Sequence, residues 1–215
     1  MCTLGALAAA AFLTLTAPAS QAAPAVGLGT AGAFALLAGQ GITNTGPSVI
    51  SGNVGTDPNP SVVGFPPGII NNGVIHAADA VALQAQSDLT TAYNDAAGRT
   101  GAAVGPQLGG QNLTPGVYNG GALNLTGVLT LNGPGVYIFT ASSSLIAATS
   151  STVNLINGAT ACNVFWQVTS SATLLGPEFV GNVMALTSIT VGNGVHVVGR
   201  LLARNGNVTL INDRV

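Results

Sequence analysis

The sequence predicts a mainly β fold, a solenoid of stacked short strands with one long α-helix lying along the stack. Three observations carry that prediction. First, the chain repeats itself at a period near 20. Val164-Phe165-Trp166-Gln167-Val168, Val183-Met184-Ala185-Leu186 and Leu201-Leu202-Ala203-Arg204 open three successive lines, 19 and 18 residues apart. Each line passes from an apolar run into polar/apolar alternation. Repeats of this length cannot bury their inward faces alone and must stack. Second, Gly52-Asn53-Val54, Gly181-Asn182-Val183 and Gly199-Arg200-Leu201 share a Gly-x-apolar corner, and glycine reaches the positive φ that sharp corners often need. Third, the period changes between His76 and Ala97. There Ala78, Ala82, Ala85, Leu89, Ala92 and Ala96 recur at steps of three and four, the spacing of one helix face.

Residues 4–17 form an apolar, Ala-rich run followed by the small residues Ser20-Gln21-Ala22. Residues 1–22 are therefore expected to be a secretory signal peptide, too short to span a bilayer, although the usual positive flank is missing. Residues 23–215 then form one domain, with no later run long enough to anchor it. Cys2 leaves with the signal, so Cys162 is alone. A lone cysteine is ordinarily a small buried hydrophobe; a reactive or intermolecular thiol is the alternative.

Residues 28–63 read as strands, with Thr43-Asn44-Thr45-Gly46-Pro47-Ser48 as a polar corner before Val49. Phe65-Pro66-Pro67-Gly68 interrupts the pattern, because proline lacks the donor a central strand needs. The helix, expected over about residues 76–97 and stopped by Gly98, presents mostly alanine. It can lie close against the first strand of each turn, where Phe165, Trp166, Met184, Leu186 and Leu202 are apolar. Residues 98–114 read as a loop. Val117-Tyr118 and Val136-Tyr137-Ile138-Phe139 open earlier turns, and the longer step from Val136 to Val164 places an insertion near residues 157–163.

Only 5% of the residues are charged and none is lysine, against roughly a quarter in ordinary domains. That argues against nucleic acid, whose phosphates need Lys and Arg. After Gly98 the only acids are Glu178 and Asp213. No carboxylate cluster of the kind glycoside cleavage requires is present. Glu178 and His196 occupy equivalent positions one turn apart, which suits a surface cross-strand pair and is too few ligands for a metal. No catalytic residue, cofactor or metal is expected.

Ordered hydroxyls are the remaining signal. Alternation along the second strand of each turn puts Leu174, Ile189, Val191, Val208 and Leu210 inside. It puts Ser171, Thr173, Ser188, Thr190, Asn207 and Thr209 outside. On the third strand, Val49, Leu131, Val153, Leu155, Phe179, Val195 and Val197 are expected inside. Ser48, Thr130, Thr152, Asn154, Glu178 and His196 are expected outside, with Thr45 and Thr149 three residues before Ser48 and Thr152. Such side chains form a grid of about 4.8 Å by about 6.6 Å, kept ordered by the stiff χ1 of threonine.

Several segments resemble the secreted microbial ice-binding (antifreeze-like) protein family. They include Leu28-Gly29-Thr30-Ala31, Gly64-Phe65-Pro66-Pro67-Gly68, His76-Ala77-Ala78-Asp79-Ala80 and Leu89-Thr90-Thr91-Ala92-Tyr93-Asn94-Asp95-Ala96. Leu113-Thr114-Pro115-Gly116-Val117-Tyr118 and Ala161-Cys162-Asn163-Val164-Phe165-Trp166 belong with them. The resemblance implies a right-handed, discontinuous β-solenoid of triangular section with one long flanking helix, binding ice through one flat face. The expected partner is the ice crystal surface with its ordered water, met by a secreted monomer without a membrane or nucleic-acid partner. Family members often pair the cysteine matching Cys162 with one just after the helix. Here that place reads Gly98-Arg99-Thr100-Gly101, so the bridge is not expected. Some members carry Thr-(Ala or Gly)-x-(Thr or Asn) on the ice face. Thr45-Gly46-Pro47-Ser48 and Thr149-Ser150-Ser151-Thr152 approach that motif, while Leu175-Gly176-Pro177-Glu178 and Asn193-Gly194-Val195-His196 do not. On that ground the third-strand ladder is the expected ice face, with Thr45, Ser48, Thr130, Thr149, Thr152, Asn154, Asn193 and His196 as its residues. A non-catalytic adhesion or surface-binding solenoid is the alternative, and a polysaccharide-active one is disfavoured by the lack of acids.

Overall fold

The structure, a computed structural model, describes residues 23–215; the expected signal peptide lies outside them. The described chain winds through three faces, here called A, B and C. Face A has nine strands. Their spatial order is Ile75–Ala77, Asn53–Thr56, Phe34–Ala38, His196–Ala203, Glu178–Ala185, Val164–Val168, Tyr137–Ala141, Gly116–Gly120 and Ala102–Ala103. Face B has seven: Leu123–Leu125, Leu145–Ala147, Ala172–Leu174, Ile189–Asn193, Asn207–Ile211, Gly41–Thr45 and Ser61–Val63. Neighbouring strands are parallel throughout. The stack is out of sequence order. Phe34–Ala38 pairs with the end of His196–Ala203, and Gly41–Thr45 pairs with Asn207–Ile211. The first coils of the described chain thus sit on the last. Val215 lies in that seam, accepting from the Ser51 N–H and donating to the Val49 carbonyl.

Face C is in pieces. Asn112–Leu113, Val128–Asn132 and Thr152–Ile156 form one ladder, and Val49–Ser51 with Ile69–Asn71 form another. Between them run the first residues of Glu178–Ala185 and His196–Ala203, paired Glu178 to His196 and Val180 to Val198. These two strands turn the corner from face C to face A without a break. Gly181 makes that turn at φ 115°. Gly199 stacks on it, and a Cβ there would run into the Gly181 carbonyl, so close approach fixes this glycine.

The inside of the solenoid is largely apolar, with an aromatic cluster around Trp166. Phe139 and Trp166 stack with ring centres 4.2 Å apart, flanked by Tyr118 and Phe179. The Trp166 indole donates to the Val180 carbonyl at 2.9 Å, which satisfies its buried N–H. Trp166 therefore points into the solenoid, not at the helix as expected. Phe165, Met184 and Leu202 do face the helix and share its core with Ala85, Leu89, Ala92 and Ala96.

The helix is α1, Ala80–Ala97, four residues shorter at its start than the sequence suggested. The reason is local. Ile75–Ala77 joins the edge of face A, Ala78 turns at φ 50°, and the Asp79 carboxylate caps the helix by accepting from the Ala82 N–H at 2.8 Å. The expected loop over residues 98–114 contains the short strands Ala102–Ala103 and Asn112–Leu113. The insertion falls where expected, turning at Asn157 (φ 51°) and passing through the 3-10 turn Ala161–Asn163. Cys162 on that turn is free and exposed, not the buried hydrophobe that a lone cysteine suggests.

Candidate functional site

Face B is built by strict alternation. Leu174, Ile189, Val191, Val208, Leu210 and Ile42 are fully buried, so the residues between them must face outward. Backbone register brings the outward residues into rows. One row runs Asn124, Ile146, Thr173, Thr190, Thr209, Thr43, Val63 across the seven strands. Its four central members are threonines on adjacent strands, about 4.8 Å apart. A second row at the strand ends joins Asn193, Ile211 and Thr45. On the other flank Ser171 and Thr187 share a hydrogen bond of 2.7 Å, and the Asn207 N–H donates to the Ser188 hydroxyl at 3.1 Å. No charged residue stands in any of these rows. Each threonine presents a methyl and a hydroxyl from a side chain with a restricted χ1, on a backbone fixed by ladders on both sides.

Face C differs in its outward residues and in the continuity of its ladder. Val128 and Thr152 pair outward, as do Thr130 and Asn154. Further along, Glu178, His196, Arg214, Val49 and Ile69 follow one another across neighbouring strands and bridges. A glutamate, a histidine and an arginine thus interrupt a row that also exposes Ile69; Val198 is exposed nearby. Among the described residues no ladder joins Thr152–Ile156 to Glu178.

The eight expected site residues divide accordingly. Thr130, Thr152, Asn154 and His196 lie outward on face C, and Thr149 is exposed on the corner leading into it. Thr45 and Asn193 end strands of face B instead, because residues 41–45 form a strand rather than the expected corner. Ser48 is fully buried, which removes it from any outward surface. Its hydroxyl donates to the Asn44 side chain and accepts from the Asp213 N–H. Asn44 in turn donates to the Gly46 and Gly64 carbonyls. This inward polar knot shifts the third strand by one residue here, so Ile50 is the buried position and Val49, expected inside, lies half-exposed on face C. A one-residue shift exchanges every side chain between the two faces. Thr43, not among the expected residues, stands in the outward row of face B, in keeping with the alternation Ile42, Thr43, Asn44, Thr45.

Asp213 lies beneath the corner where faces B and C meet. It is almost fully buried, and its carboxylate accepts from the Val195 N–H at 2.8 Å and the Ile211 N–H at 2.7 Å. Burial raises its pKa above the ordinary carboxylate value, with the backbone donors opposing the shift. It is sealed from solvent and well placed to hold the corner, not to catalyse. Among the described residues no group of three His, Cys, Asp or Glu is placed to hold a metal.

The Ice-binding-like family model matches residues 36–215. The chain belongs to this family. It is 47% identical over 197 residues to an ice-binding protein of Nostoc sp. (strain HG1), covering 87% of this chain and 72% of that protein. It is 39% identical over 207 residues to an ice-binding protein of Colwellia sp, covering 86% and 81%. Among solved structures it superposes with a TM-score of 0.86, at 40% identity, on an ice binding protein from an Antarctic Biological Consortium, covering 94% of this chain and 95% of that one. The family's β-solenoid with its flanking helix is the fold found here.

Proposed function

We propose that this chain is a secreted ice-binding protein that adsorbs to ice through face B and catalyses nothing. One observation carries the choice of face: the uninterrupted row of Thr173, Thr190, Thr209 and Thr43 on adjacent strands. A rigid, uncharged grid of methyls and hydroxyls orders water without the strong hydration shell that a carboxylate or ammonium imposes. Water held in that way merges with the ice lattice, and the anchored protein pins the growing front, which curves between pinning points and stops. The third-strand ladder favoured by the motif comparison suits this less well, because Glu178, His196 and Arg214 cross it. Membership of a family whose relatives are named ice-binding proteins supports the activity itself.

The test is thermal hysteresis and inhibition of ice recrystallisation at micromolar protein, with folding checked by circular dichroism. The folded wild-type chain should shape and arrest ice crystals. Ordinary crystal growth in its presence defeats the proposal.

A further inference from the structure

The corner between faces C and A holds a half-open cavity of about 200 Å³. Phe34, Ala35, Ser51, Ala161, Val198 and Arg200 are among its lining residues. It lies where three separate parts of the chain meet: the entry to the first coil, the insertion near residue 162, and the corner at Gly199. Arg200 is half-buried in this wall. Its Nε donates to the Gly32 carbonyl at 2.8 Å and its Nη1 to the Asn182 side-chain oxygen at 2.9 Å. Asn182 is itself held by donating to the Val164 carbonyl at 3.0 Å. A guanidinium has five N–H donors, so three remain, including both on Nη2. Among the described residues no carboxylate lies within 4 Å of it; the ion pairs found are His76–Asp79 and Arg99–Asp95. Of the four arginines, this one is half-buried in a cavity wall and fixed by two hydrogen bonds, with no carboxylate in contact. A partly buried charge without a partner is costly, and the cavity beside it offers room for one.

We propose that this cavity binds a small monocarboxylate, with the carboxylate on the free Arg200 N–H groups and a short apolar tail against Phe34, Ala35, Ala161 and Val198. The lining decides the class. One guanidinium balances one negative charge, whereas a phosphate dianion needs a second cation or a cluster of backbone donors. The rest of the lining is mixed, with alkyl carbon from Ala35, Ala161 and Val198 beside the polar groups of Ser51 and Asn182, and the volume suits an acid of a few carbons. Guanidinium also pairs naturally with a planar carboxylate through two parallel hydrogen bonds. Bound there, the acid bridges the first coil to the coils it caps and stabilises the native chain by mass action. The site is separate from face B.

The experiment is a thermal melt of the full chain in sodium acetate, butyrate, phosphate or chloride, at constant ionic strength and pH 7. Acetate and butyrate should raise the midpoint saturably over chloride. Butyrate should reach half-effect at about a tenth of the acetate concentration if both of its extra methylenes are buried. R200Q should lose the rise. Because R200Q also removes bonds to Gly32 and Asn182, V198F serves as the second variant: it fills the cavity mouth, leaves those bonds intact, and should lose the rise as well. No saturable rise in the wild type overturns the proposal, as does an equal rise in all three proteins, the mark of a general salt effect. A rise with phosphate and none with either acid overturns the carboxylate assignment.

Discussion

Faces B and C are built from the same coils and share the same buried interior, yet only one is uniform. On face B seven coils contribute one strand each, and the strands pair from one to the next with a single register shift, beyond Thr190. The outward row keeps its register, and threonine can repeat in it. On face C the insertion over residues 157–163 lies between Thr152–Ile156 and Glu178, which no ladder joins among the described residues, and the Asn44–Ser48–Asp213 knot shifts the inward positions by one residue. The outward positions therefore do not continue as one row across the face, and a repeated side chain there would not make one flat grid. The difference teaches that a binding face of this kind depends on an unbroken backbone ladder first and on residue choice second.

The sharpest way to break the comparison is a bulky residue in the centre of each face. Thr190→Tyr stands between Thr173 and Thr209 and lifts face B off a planar lattice. Thermal hysteresis should fall to background while the melting midpoint changes little, since exposed substitutions usually cost within about 0.5 kcal/mol. Retained activity in Thr190→Tyr, with loss in Thr152→Tyr, would transfer the site to face C.

The interior beneath each face offers the next contrast. Leu174 is fully buried under face B, whereas Leu155 under face C is only half-buried. Leu174→Ala should destabilise by about 2–5 kcal/mol in denaturant melts, and Leu155→Ala by clearly less. Equal losses would mean that face C is as well packed as face B.

Asp213, at the corner the two faces share, gives a smaller and pH-dependent effect. Its pKa is raised by burial in the native chain, so the native state holds the proton more tightly than the unfolded one. The stabilisation this gives is complete below the unfolded value of about 3.9 and is lost as pH rises through the higher native value. Asp79 and Asp88, both held low by hydrogen bonds, titrate on the acid side of that window. The melting midpoint should therefore decline modestly as pH rises above 4, and Asp213→Asn should flatten that decline. An unchanged slope in the variant would assign the titration elsewhere.

The smallest expected effect is on face C itself. Thr152→Tyr should leave ice activity and stability close to wild type, measured side by side with Thr190→Tyr.

The sequence by itself determined the repeat, the helix stripe, the inward and outward residues of face B and the position of the insertion. Each is a local pattern: alternation fixes which side of a strand is buried, and a 3.6-residue period fixes the helix face. Local patterns also explain the errors. Residues 43–48 read as one polar corner because Thr43, Asn44, Thr45 and Ser48 are all polar, and nothing local says that Asn44 and Ser48 turn inward to meet Asp213. Trp166 fits either side of an apolar strand until its neighbours Phe139 and Phe179 are in place. Only the tertiary structure decided that the first coils stack on the last. That one pairing sets Thr43 beside Thr209 and extends a three-threonine row to four. Parallel ladders join segments by backbone hydrogen bonds that carry no side-chain code, so a contact between residues so distant along the chain leaves no mark in the sequence of either.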